Sequence, residues 1–173
     1  MTTATSTTTA TAESTRTVQV HRIYIRATAQ AVWDAITSPD WNGKYGYGCA
    51  SEFDLRPGGA YRSLSSDEMR AHGAPEQIIE GEVVEAEAPH RLVQTYRMLF
   101  TPELAAEPYT RLTYEIEEEP YGGVVKLTVT HDVTGAPAHA AQVAGEIKET
   151  GGGWAMLLSD LKSLLETGKT MAG

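Results

Sequence analysis

A chain of 173 residues has room for one domain with a substantial core, and 41% hydrophobic with 21% charged residues is ordinary for a globular protein. Its formal charge of −9, with no run of Lys and Arg, excludes a nucleic-acid partner and an anionic membrane surface, because both need a concentrated positive field.

In chain order, residues 1–16 are mostly Thr, Ala and Ser. They offer too little apolar surface to offset the entropy of ordering them, so a disordered tail is expected. The folded part begins near Val18. His21-Arg22-Ile23-Tyr24-Ile25-Arg26 alternates as a strand does, with Ile23 and Ile25 on one face. The period then changes: Ala29, Val32, Trp33 and Ile36 fall on one face of a helix that Thr28 can cap. Ser38-Pro39 starts a second short helical turn, since Pro suits the first helical position. Residues 41–48, rich in Gly and aromatics, are expected to be a loop.

Strand signals follow. Residues 51–55 and 60–64 flank the turn Arg56-Pro57-Gly58-Gly59, and residues 65–75 read as a connecting loop. Residues 77–86 and 91–99 flank Pro89-His90, and 109–118 and 124–131 flank Pro120-Tyr121-Gly122-Gly123. Leu112, Tyr114 and Ile116 share one face, as do Val125, Leu127, Val129 and His131, while Glu115, Glu117, Lys126 and Thr128 fall on an outer, wet face. A shorter helix is predicted over 138–149, with Gly151-Gly152-Gly153 as a hinge before the last helix. There Trp154, Leu157, Leu158, Leu161, Leu164 and Leu165 repeat at three and four residues. Ser159, Asp160, Lys162, Ser163 and Glu166 lie largely outside that stripe, and Gly168 is placed to stop the helix. Strands in series with helices at the ends make an α+β domain over 17–168, with 169–173 as a short tail.

Four segments carry a family resemblance. They are Ala29-Gln30-Ala31-Val32-Trp33-Asp34-Ala35-Ile36-Thr37, then Phe53-Asp54-Leu55-Arg56-Pro57-Gly58-Gly59-Ala60-Tyr61-Arg62, then Gly81-Glu82-Val83-Val84 on to Arg91-Leu92-Val93-Gln94-Thr95-Tyr96, and last Gly153-Trp154 to Gly168. In that order they resemble the START-related superfamily, also called SRPBCC or Bet v-like, and within it the group named after the activator of the heat-shock chaperone ATPase. The resemblance implies a helix-grip fold, a curved antiparallel sheet of about six or seven strands around a long C-terminal helix, with two short helices after the first strand. It also implies a mostly apolar cavity between sheet and helix. It does not fix a function, since the superfamily spans lipid carriers, hormone receptors and polyketide cyclases.

Candidate ligand-binding residues are the large side chains on inward faces. Trp33, Trp41, Tyr45 and Tyr47 precede the main sheet; Met69, Tyr96, Met98, Tyr114 and His131 belong to its middle; Trp154 and Leu157 stand on the terminal helix. Singly, each is as readily explained by core filling, because aromatics bury well without a ligand. His131 is the polar position of most interest, placed to donate to a ligand carbonyl or to act as a base; a core histidine bonded to backbone is the plainer alternative. Asp132 alternates to the opposite face, so the two do not form a dyad.

Other chemistry lacks a pattern. Glu76, Glu80, Glu82, Glu85 and Glu87 describe a solvated sheet face. The five His are scattered at 21, 72, 90, 131 and 139 and Cys49 is alone, so neither a metal site nor an intrachain disulfide is expected. No phosphate-binding glycine fingerprint and no G-x-S-x-G occurs, and no cofactor is expected. The leading expectation is a protein that binds a small apolar or aromatic molecule; a cyclase- or aromatase-like enzyme and a chaperone-interacting module are the alternatives. No apolar run reaches membrane-spanning length and no signal core is present, so a cytoplasmic location is expected, and a homodimer is compatible with the chain.

Overall fold

The computed structural model describes residues 16–148 and 150–173, so the expected tail over 1–15 and Glu149 lie outside the described residues. The chain runs β1 (Val18–Ile25), α1 (Ala29–Thr37), α2 (Pro39–Asn42), β2 (Ser51–Phe53) and β3 (Ala60–Leu64). It continues through α3 (Asp67–Ala71), β4 (Gln77–Glu87), β5 (Arg91–Met98) and α4 (Pro102–Ala106). It ends with β6 (Thr110–Glu118), β7 (Val125–Asp132), α5 (Pro137–Ala144) and α6 (Gly153–Thr167). The strands form one seven-stranded antiparallel sheet in the order β1-β7-β6-β5-β4-β3-β2, with α6 packed against it. This is the helix-grip fold expected from the sequence.

Local chemistry sets the element ends. The Thr28 hydroxyl accepts from the Ala31 N–H at 3.1 Å, capping α1 as its sequence suggests. Ser38 makes no side-chain cap, and Pro39 alone starts α2. Gly168, at φ 74°, ends α6 and returns its N–H to the Leu164 carbonyl at 2.8 Å. Gly145, at φ 73°, ends α5 earlier than residue 149; a Cβ there would lie 2.7 Å from the Gly152 backbone. Only glycine lets the end of α5 and the start of α6 approach so closely.

The inward faces of β6 and β7 follow the sequence pattern, with Leu112, Ile116, Leu127, Val129 and His131 buried. Trp154, Leu158, Leu161 and Leu164 bring the α6 stripe into the same cluster. Three expectations need correction. Thr128 is buried despite its outward position, because the register sets it between Arg22 and Glu115, whose longer side chains shade it. Asp160 is also buried: its Oδ2 accepts from the Gly46 N–H at 2.7 Å and its Oδ1 from the Met171 N–H at 2.6 Å. The helix stripe cannot reveal this, because the donors come from loops that return over α6. Residues 65–75, expected to be a loop, contain α3, capped by the Ser66 hydroxyl on the Met69 N–H at 3.2 Å. No helix among the described residues is long and apolar enough to cross a membrane.

Candidate functional site

Between the sheet and α6 lies a cavity of about 460 Å³, within the usual range of small-molecule sites. Eight of the eleven residues singled out in the sequence line it. The loop after α2 supplies Tyr45 and Tyr47, α3 supplies Met69, β5 supplies Tyr96 and Met98, β6 supplies Tyr114, and α6 supplies Trp154 and Leu157. Phe100, Thr101 and Thr150 are exposed and stand at its solvent side.

The wall is a chain of rings. Phe53 and Tyr61 have centroids 4.7 Å apart, Tyr61 and Tyr96 stack at 6.3 Å, and Tyr96 meets His131 edge-on at 5.0 Å. His131 continues to Trp154 at 6.0 Å, and Trp154 to Tyr114 at 6.1 Å, both T-shaped. Sequence reading missed Tyr61 and Phe53, although the alternation of β3 places Tyr61 with Ser63 on the buried side. It also missed Leu104, because α4 is too short to show a period; the Thr101-Pro102 cap and first-turn pair was the available signal.

Two loop tyrosines are committed to structure. Tyr45 donates to the Ala35 carbonyl at 3.0 Å, and Tyr47 accepts from the Gly153 N–H at 3.1 Å, which ties the loop to the start of α6. Asp160 holds the same loop through Gly46. By contrast, the hydroxyls of Tyr96 and Tyr114 reach the cavity with no hydrogen-bond partner among the described residues. Burial pushes both phenols well above the ordinary tyrosine range and takes Tyr61 up to about 12. Burial likewise raises the Cys49 thiol, which lines the cavity with the Met69 sulfur 3.5 Å from its own.

His131 is not part of the lining. It is fully buried behind Tyr96 and Trp154. The Trp154 indole N–H can only donate, so at 3.2 Å the His131 Nδ1 accepts and the ring proton sits on Nε2. Nε2 then donates to the Thr110 hydroxyl at 2.7 Å, which donates in turn to the Tyr96 carbonyl at 2.9 Å. Both ring nitrogens are thereby used. Burial lowers the pKa to about 3, so the ring is neutral near pH 7 and its role is to fix the indole. His139 is equally committed: Nε2 accepts from the Met98 N–H at 2.8 Å and Nδ1 donates to Glu107 at 2.6 Å. Glu107 also takes the Ala138 and His139 N–H groups at 2.8 and 2.9 Å, which caps α5.

Two further expectations fail on position. Trp33 is 5% exposed but lies in the solid core under α1, away from the cavity. Trp41 is 41% exposed on α2, with the Lys44 ammonium 4.3 Å over its ring, because that helix is too short to turn the indole inward.

The comparisons with known proteins agree with this architecture. The family model of Activator of Hsp90 ATPase homolog 1-like proteins matches residues 26–166. No curated protein matches the sequence. CalU16 from Micromonospora echinospora is a similar solved structure, at 20% identity and TM-score 0.61, covering 87% of this chain and 76% of its own. Protein NE0264 from Nitrosomonas europaea shares 20% identity over 88% of this chain and 96% of its own, with TM-score 0.63. The HSP90 activator PFC0360w from Plasmodium falciparum shares 18% over 86% and 95%, with TM-score 0.58. At these identities the likeness speaks for the fold alone. The sequence match takes in both short helices, every strand except β1 and nearly all of α6, and the chain therefore belongs to the Activator of Hsp90 ATPase homolog 1-like family, within the START-related superfamily.

Proposed function

We propose that this protein binds a small apolar, aromatic molecule between the sheet and α6. The observation that carries the reading is the set of rings, Phe53, Tyr61, Tyr96, Tyr114 and Trp154, that face one cavity. Flat rings offer a planar ligand large contact at low entropic cost, and pockets of this kind are the common form of small-molecule site. Binding without turnover is favoured because His131 and His139 spend both ring nitrogens on internal bonds. That leaves neither histidine free as the acid or base that a cyclase-like reaction would need. A fluorescence or calorimetric screen of apolar compounds, with mass spectrometry of every ligand after incubation, tests the reading. Saturable binding with the compound recovered unchanged is expected. Product formation, or a screen in which nothing binds, would overturn it.

A further inference from the structure

Resting on the binding role proposed above, we infer that the cavity selects an uncharged aromatic ligand bearing a carbonyl-type oxygen, with the Tyr96 and Tyr114 hydroxyls as its donors, and rejects the corresponding carboxylate.

Three features of the wall lead there. No Asp, Glu, Lys, Arg or His lines the cavity among the described residues. A carboxylate entering it would lose water without gaining a counter-charge, and an unpaired buried ion is far more costly than an unpaired dipole. The second feature is the unused pair of phenols. Tyr45 and Tyr47 already have internal partners, whereas the Tyr96 and Tyr114 hydroxyls have none among the described residues and remain accessible from the cavity. Each has a proton that must be placed when a ligand excludes water. A ligand that only donates leaves both protons unpaired, whereas a carbonyl oxygen accepts from a phenol it meets. Their raised pKa keeps them donors throughout the physiological range.

The third feature is the polarity of the same wall, where Ser51, Ser63 and the Tyr61 phenol stand among the rings. This part of the site is therefore rich in hydrogen-bonding groups and free of charge, facing rings that favour a planar skeleton.

A matched series on one three-ring skeleton tests the selection. Fluorene, 9-fluorenone and fluorene-9-carboxylate are titrated against the full chain, read by tryptophan fluorescence and calorimetry. The ketone should bind about tenfold more tightly than the hydrocarbon, the worth of one or two buried hydrogen bonds, and the carboxylate should bind most weakly. Tyr96→Phe and Tyr114→Phe should each remove several-fold of the ketone's advantage and leave fluorene within about twofold, with a melting curve as the check on folding. Should a variant not fold, the ligand order on the unsubstituted protein decides alone. Equal affinity for fluorene and fluorenone, or preference for the carboxylate, would overturn the selection while leaving the binding role standing. Binding of none of the three would overturn both.

Discussion

On the β1, β7 and β6 side of α6, Ile25, Leu127, Val129 and Leu112 are fully buried in one cluster with Leu158 and Leu161. On the β3 to β5 side, Tyr61, Ser63, Tyr96 and Met98 line the cavity instead. The helix makes its main contacts with β1, α1 and α5, so the far side of the sheet is roofed by the loop after α2 and by α3 and α4. Branched aliphatic side chains interlock to crystal-like density, whereas flat rings and small hydroxyl residues under a thin roof leave a gap. One sheet thus supplies both a stable half and a receptive half, and the difference lies in the shape and polarity of the side chains.

The sharpest test of that contrast lies on two neighbouring turns of α6. Leu161→Ala, in the solid half, should cost about 2–5 kcal/mol in urea unfolding. Leu157→Ala should cost clearly less, because part of that side chain already faces the cavity. Equal costs, or the reverse order, would break the comparison. At the seam between the halves stands His131. The unfolded chain takes up a proton at that imidazole near pH 6.5, and the folded chain only near 3. Between those values the unfolded state binds the extra proton, so stability falls as pH falls, with a slope approaching about 1.4 kcal/mol per pH unit. His21, also lowered by burial, acts in the same direction. Unfolding curves taken from neutral pH to about pH 5 should show this decline, and His131→Phe should flatten it; a flat curve in the unsubstituted protein would place the imidazole in water. The smallest effect is expected outside both halves. Trp41→Ala should change stability by less than about 0.5 kcal/mol and leave ligand affinity untouched, as for other surface sites. A marked loss of affinity would extend the receptive half to α2.

The contrast between the halves marks the limit of what the sequence reveals. Period-two alternation places His131, Tyr114 and Leu127 inward, and period-three-and-four spacing does the same for Trp154 and Leu161. Such patterns say which face is buried, not whether the buried space is filled. They also identify no partners. His131 reads as an inward imidazole, but its commitment to Trp154 and Thr110 depends on three separate elements meeting. Asp160 reads as a solvent residue because one of its donors, Gly46, is far away in the chain and the other, Met171, lies in the irregular tail beyond α6. The four- and five-residue helices α2, α3 and α4 complete too few turns to show a period, and with them the roof of the cavity escapes a reading by pattern.

The pairing of β1 with β7 bears on how the chain reaches this state. Every other pairing in the sheet joins strands that follow one another in sequence, while among the described residues β1 pairs only with the last strand, Val18 opposite Asp132. Closing so long a loop is slow, because its entropy must be given up before any contact rewards it. During synthesis β1 emerges first and waits until β7 and then α6 are made. Meanwhile Val18, Val20 and Tyr24, which remain exposed even in the finished fold, sit on a strand with unused backbone groups. A nascent chain with β2 to β7 paired and β1 adrift would leave that strand open to aggregation, and the late pairing with β7 is the slow kind of contact to form.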